Sequence, residues 1–113
     1  MVKQLMSMDI KNYLIPVSKK ILLDVRTEGE WDNYGKPDGE KLGLKTYFLT
    51  IKDENFLNEF QNLLINKNYE ILTLCKVGQR SQFVAQLLEK NNYICTNISD
   101  GFDGWKSSDL PCL

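Results

Sequence analysis

Apolar positions along the chain fall into two kinds of pattern that alternate from end to end. Short runs at Val2 to Leu5, Ile21 to Val25, Leu44 to Ile51, Ile71 to Leu74 and Tyr93 to Ile98 have the β-branched and aromatic content of strands. The run Ile21-Leu22-Leu23-Asp24-Val25 is nearly continuous, as in a strand covered on both faces. Between these runs, apolar residues recur at helical offsets. Ile10, Tyr13 and Leu14 follow Ser7 and end at Pro16; Trp31 and Tyr34 follow the capping box Thr27-Glu28-Gly29-Glu30. Phe56, Phe60, Leu63 and Leu64 predict an amphipathic helix from about Asp53 to Ile65. Ser81 is placed to cap a further helix with the stripe Phe83, Val84, Leu87 and Leu88, and Gly101 to Trp105 opens a short closing helix. Gly35 to Gly43, with Pro37 and Asp38-Gly39, reads as a polar loop. Such alternation predicts an α/β fold: a parallel sheet with crossover helices.

At 113 residues the chain makes one domain, residues 1–113, with enough core to need no disulfide or metal staple. Fourteen Lys and Arg against fifteen Asp and Glu leave a net charge of −1. That charge offers no basic face for counterion release, so neither nucleic acid nor an anionic membrane is expected as a partner. No apolar run approaches the roughly 18 residues of a membrane span. Met1-Val2-Lys3-Gln4-Leu5 lacks the continuous apolar stretch of a secretory signal. The three cysteines, Cys75, Cys95 and Cys112, are odd in number and 20 and 17 residues apart. They predict a reducing, cytoplasmic setting and no metal site.

There is no histidine. Its absence removes Ser-His-Asp and Cys-His catalysis and leaves cysteine, activated by its local field, as the candidate nucleophile. Cys75-Lys76-Val77-Gly78-Gln79-Arg80-Ser81 runs from the end of a buried strand into a helix start, where open α/β sheets present ligand sites. A loop of this kind turns backbone N–H groups inward and adds the positive end of the helix dipole. It therefore favours an anion, including a thiolate at its rim. Gly78 gives the loop its conformational freedom, Ser81 is read as an N-cap, and Val77 and Gln79 line the entrance.

With two further motifs, this loop resembles the single-domain rhodanese-like sulfurtransferases. The motifs are Leu22-Leu23-Asp24-Val25-Arg26 followed by Glu30-Trp31, then Cys75-x-x-Gly78-x-Arg80-Ser81, then Asp100-Gly101-Phe102-Asp103-Gly104-Trp105 followed by Leu110-Pro111. Both arginines of the chain fall inside them, while the other twelve basic residues are lysines. The resemblance implies a rhodanese-like α/β fold, a central parallel five-stranded sheet with helices on both faces. It also implies a reaction that needs no cofactor. The Cys75 thiolate takes the outer sulfur of a small anionic donor such as thiosulfate, becomes a persulfide, and passes that sulfur to cyanide, a thiol or a partner protein. Lys76, Val77, Gly78, Gln79 and Arg80 then form the substrate-binding loop, whose N–H groups hold the charged persulfide. Asp24, Arg26 and Ser81 support it. Arg80 either faces substrate or turns back into a salt bridge beneath the loop. Where the family carries Gly-His-Ile-Pro-Gly-Ala, this chain has Gly35-Lys36-Pro37-Asp38-Gly39-Glu40-Lys41-Leu42-Gly43, with no histidine and more charge, a stretch read as a scaffold turn that leaves the cysteine chemistry intact.

Two other readings stay open. One is a non-catalytic rhodanese-like module that binds an anion or a partner. The other is a phosphatase or arsenate reductase relative, disfavoured because Cys75 to Arg80 is Cys-x4-Arg, one residue shorter than the phosphatase loop. Trp31, Phe102 and Trp105 are expected in the core or at its rim, with Trp105 a candidate roof for the pocket. Cys95 is expected to be buried and inert, and Cys112 to be a free tail cysteine or a resolving thiol.

Overall fold

Alternate residues of the central strands serve opposite cores, which is why the sequence there is apolar without interruption. The structure, a computed structural model, describes residues 1–16 and 18–113; Val17, at the end of the short apolar run from Tyr13, lies outside them. Among the described residues five strands pair in parallel: β1 (Lys3–Leu5), β2 (Lys20–Asp24), β3 (Lys45–Phe48), β4 (Glu70–Leu74) and β5 (Ile94–Ile98). Their order across the sheet is β1-β5-β4-β2-β3. The helices between them are α1 (Ile10–Tyr13), α2 (Glu28–Tyr34), α3 (Phe56–Gln61), α4 (Gln79–Glu89) and α5 (Gly101–Ser107), with 3-10 turns at Ser7–Asp9 and Gly39–Leu42.

One core gathers Ile21, Leu23, Ile71 and Cys95 from the sheet against Phe56 and Phe60 of α3 and Val84, Ala85 and Leu88 of α4. The other gathers Leu22, Leu72, Leu74 and Ile98 against Ile10 of α1 and Phe102 and Trp105 of α5. The parallel five-stranded sheet with helices on both faces is the expected architecture.

Three elements depart from the periodicity. α3 stops at Gln61, leaving Leu63 36% and Leu64 87% exposed: Phe56 and Phe60 are its buried residues, Leu57 and Ile65 pack beside them, and Leu64 turns the chain at φ +57°. Phe83 lies on the solvent side of α4, 59% exposed; the buried stripe runs through Ser81, Val84, Ala85 and Leu88 instead. β3 ends at Phe48, although Leu49 and Ile51 still donate backbone N–H bonds to the carbonyls of Asp24 and Val25, at 3.0 and 3.2 Å.

What positions the site is the pairing of β2 with β4. Asp24 stands opposite Leu74, and the Val25 N–H donates to the Leu74 carbonyl at 2.9 Å. The segments that follow these two strands, one carrying Arg26 and the other Cys75, therefore leave the carboxyl edge of the sheet side by side.

Candidate functional site

The cysteine loop is held from behind by the segment that joins β5 to α5. The N–H groups of Phe102 and Asp103 donate to the carbonyls of Cys75 and Lys76, at 2.7 and 3.1 Å. The Gly78 carbonyl accepts from the Asn97 side chain at 3.1 Å and from the Gln82 N–H at 3.2 Å. With those carbonyls drawn outward, N–H groups are left facing in. Two glycines make the close fit feasible. A Cβ on Gly78 would lie 2.2 Å from the Ser99 carbonyl oxygen, and one on Gly101 would lie 2.3 Å from that of Lys76. Both have positive φ, +98° and +61°, the region that glycine enters at least cost.

At the floor of this cup the Cys75 sulfur has no exposed surface, so it sits below the rim where the sequence placed it. Three donors converge on Sγ: the Gly78 N–H at 3.1 Å, the Ser81 N–H at 3.3 Å and the Ser81 hydroxyl at 3.2 Å. Such an arrangement is built to hold negative charge on sulfur, with fixed dipoles that need no reorganisation. Ser81 is not the helix cap. Gly78 occupies the N-cap position, Ser81 lies inside the first turn, and its hydroxyl turns inward to Cys75 and to Asn97. The cap was expected from residue type alone, whereas the inward hydroxyl depends on the loop closing around sulfur.

The two arginines are both engaged by carboxylates. Arg26 is fully buried with Asp24: Nη2 to Oδ2 is 2.8 Å, Nε reaches both carboxylate oxygens at 3.1 Å, and the Arg26 N–H donates to Oδ1 at 3.0 Å. Nη2 also donates to the Gly35 carbonyl at 2.9 Å, and the guanidinium lies 4.1 Å from the centre of the Phe102 ring. This pair ties the end of β2 to Gly35, at the end of α2, and to Phe102 of α5. Arg80 forms a two-pronged pair with Glu30 of α2, Nη1 to Oε1 at 2.6 Å and Nη2 to Oε2 at 2.8 Å. Hydrogen bonding to Arg80 holds the Glu30 carboxyl down at about 2. Of the two postures open to Arg80 in the sequence, the structure has the salt bridge.

Lys76 is half-exposed and paired with Asp103 at 3.1 Å, its ammonium 5.6 Å from the centre of the Tyr34 ring. Val77 and Gln79 are exposed beside the cup. Trp105 is fully buried, with its Nε1–H donated to the Pro111 carbonyl at 2.8 Å, so it belongs to the core and forms no roof. Trp31 is partly buried and packs edge-on against Phe48, and Phe102 is in the core. Cys95 is buried in β5, and desolvation pushes its thiol up to about 12. Cys112 is exposed, its backbone bridged to Pro37, and partial burial raises its thiol as well.

Two contributors are incompletely marked by the motifs: Glu30 stands in one without any sign of its partner Arg80, and Asn97 reads only as part of the last strand. Its signal was an amide in the middle of the apolar run Ile94 to Ile98, a residue type depleted in strands. A cleft of about 340 Å³ beside the loop is lined by Gln4, Val77, Gln79, Asn97 and Ser99. A larger cleft of about 580 Å³, lined by Lys20, Lys45 and Tyr69, involves residues at the amino ends of the strands, away from the cysteine. Its size is no guide to the chemistry.

Comparison with known proteins agrees with the fold. The model of the rhodanese-like domain matches residues 8–108. Uncharacterized protein RP600 of Rickettsia prowazekii (strain Madrid E) is 35% identical, the match covering 98% of this chain and 97% of that protein. The crystal structure of Rv0390 from M. tuberculosis superposes with a TM-score of 0.81 at 24% identity, over 99% of this chain and 97% of that one. RPA3614 of Rhodopseudomonas palustris, described as a protein of unknown function and possible tyrosine phosphatase, superposes with a TM-score of 0.70 at 17% identity, over 99% and 85%. At such identities the solved structures speak for the fold alone. By its family match, its full-length relative and the sheet and loop described above, the chain belongs to the rhodanese-like domain family.

Proposed function

We propose that the protein is a sulfurtransferase that works through a persulfide on Cys75. The observation that carries this reading is the convergence of three donors on a buried cysteine sulfur, with no histidine anywhere in the chain to serve as its base. The Cys75 thiolate attacks the outer sulfur of a donor such as thiosulfate. A new S–S bond forms, the donor's S–S bond breaks, and sulfite leaves with the bonding electron pair. The Cys75 persulfide remains, its charge met by the loop's N–H groups. A thiophilic acceptor (cyanide, a thiol or a partner protein) then attacks the outer sulfur and returns the thiolate. With Lys76 and Arg80 each met by a carboxylate, attraction of an anionic donor falls mainly to the loop dipoles and the N-terminus of α4. Three unpaired cysteines support a reducing setting, and no described helix is long and apolar enough to cross a membrane.

A second reading has its own support. Cys75 has no exposed surface, which suits a module that binds a partner through the outside of the loop. A phosphatase reading is disfavoured by the Cys-x4-Arg loop and by the commitment of Arg80 to Glu30.

Intact-protein mass spectrometry after thiosulfate treatment, without reductant, separates these. The expected result is one added sulfur atom on the wild type, removed by cyanide, and none on Cys75→Ser. Absence of any adduct with thiosulfate and with other sulfane-sulfur donors, on folded protein with a free Cys75 thiol, would overturn the enzymatic reading.

A further inference from the structure

Asn97 is an amide in the interior of β5, 2% exposed, where an unpartnered side chain would carry a heavy desolvation penalty. It avoids that penalty by using every hydrogen-bonding position an amide has. Nδ2 donates to Gln4 Oε1 at 3.0 Å and to the Gly78 carbonyl at 3.1 Å. Oδ1 accepts from Ser81 Oγ at 2.6 Å and from Thr73 Oγ1 at 3.3 Å. The orientation follows from the partners: a flipped amide would set oxygen against the Gly78 carbonyl. Register places Asn97 opposite Thr73 on β4, two residues before Cys75 and on the same face of the strand.

Ser81 has a single hydroxyl hydrogen and two acceptors for it, Asn97 Oδ1 at 2.6 Å and Cys75 Sγ at 3.2 Å. With a neutral thiol, the closer amide oxygen is the better acceptor. With a charged sulfur, the charge-assisted bond to Sγ is the stronger. The nearby ionic groups are already committed: Arg80, within electrostatic reach of Cys75 and Asp24, to Glu30, and Asp24 to Arg26.

We infer that Asn97 is a positioning residue for Cys75: it parks the Ser81 hydrogen, releases it to sulfur when sulfur becomes the thiolate, and holds the Gly78 peptide with its N–H aimed at Sγ. The proton lost by the thiol goes to solvent, and no covalent bond changes at Asn97. This deepens the proposed function, since it rests on Cys75 as the working nucleophile.

The test reads alkylation of Cys75 by iodoacetamide, followed by peptide mass spectrometry on the folded full chain. Ser81→Ala is expected to slow Cys75 roughly tenfold at about pH 7 and to leave unchanged the plateau that the rate reaches at high pH. Asn97→Asp keeps the shape, loses both N–H donors and grips the Ser81 hydrogen with a charged oxygen. It is expected to slow Cys75 at least as much at pH 7, and adding Ser81→Ala should then slow it no further. Loosening of the fold alone would raise reactivity both at pH 7 and on the plateau. Unchanged reactivity of Asn97→Asp, a parallel change at pH 7 and on the plateau, or additive slowing in the double variant would overturn the inference.

If Asn97→Asp fails to fold, the wild type still answers. The Asn97 side-chain amide resonances are expected to shift as Cys75 ionises and to stay still over that range in Cys75→Ser; resonances static in both would overturn the role. Alkylation uses no sulfur donor, so this result stands apart from whether the protein transfers sulfur.

Discussion

The segments that follow β2 and β4 start from the same circumstances and end as opposites. Each leaves the carboxyl edge of the sheet from a buried strand, the two strands are paired, and each segment carries one of the chain's two arginines. After β2, Asp24 and Arg26 pair in full burial through Nε and Nη2, the Gly35 carbonyl and Phe102 ring take up more of the guanidinium, and only Nη1 is left without a hydrogen-bond partner among the described residues. After β4, three donors surround a sulfur and no cation is spent on it. The first segment is closed electrostatically and serves as scaffold. The second is left with unbalanced donors and is fitted to receive charge. Motif residues of equal prominence in sequence thus differ in surroundings: the Arg26 guanidinium is met by a buried carboxylate, and the Cys75 sulfur by neutral donors.

Breaking the closed segment has the largest expected effect. Arg26→Met leaves the Asp24 carboxylate buried and alone, and a loss of about 3–5 kcal/mol is expected in chemical denaturation. Adding Asp24→Leu should recover much of that loss, because the pair as a whole answers a cost it creates. Failure of the double variant to recover would mean that the pair also fixes the turn at Gly35 by directed bonds.

Next is the open segment's hinge. Gly78→Ala puts a side chain in left-handed backbone, at about 1–2 kcal/mol, before the contact with the Ser99 carbonyl is counted. Denaturation should register that loss, and sulfur loading of Cys75 should fall with it as the Gly78 N–H swings off Sγ. Loading that survived would place the charge-holding role on Ser81 alone.

A smaller effect belongs to the bridge between α2 and the loop. The Glu30 carboxyl is lowered from 4.5 to about 2 by Arg80, so its stabilising contribution is present above pH 4.5 and is lost as pH falls towards 2. With Arg80 39% exposed, solvent screening keeps that contribution to about 1 kcal/mol or less. Acid titration of stability should lose this segment of its slope in Glu30→Gln, and an unchanged slope would assign it to other carboxylates.

The smallest effect is expected at Cys112, whose thiol reaches the Leu110 carbonyl and whose backbone is bridged to Pro37. Cys112→Ser should leave Cys75 loading unaltered. A longer-lived persulfide in that variant would instead make Cys112 a resolving thiol.

Much of this was readable in advance. The central strands β2 and β4 were legible because both faces of the sheet are covered there, which leaves near-continuous apolar runs, whereas the edge strands β1 and β3 carry only short or β-branched and aromatic signals. The capping box at Thr27 and Glu30 was legible because it is a local arrangement of side chain and backbone. Leu63, Leu64 and Phe83 misled because helical spacing records which residues are able to face a core, while only packing settles which of them meet one.

The order of chemical groups along the chain determined the alternation of strands and helices, the loop length and the place of Cys75 at a strand end, since each of these follows from local pattern. The tertiary structure alone decided that Ser81 turns inward, that Arg80 belongs to Glu30, and that Asn97 stands behind the cysteine. Contacts such as Ser81 with Asn97 and Arg80 with Glu30 join residues 16 and 50 positions apart, and such partners are chosen by the stacking of strands and helices rather than by neighbours in sequence.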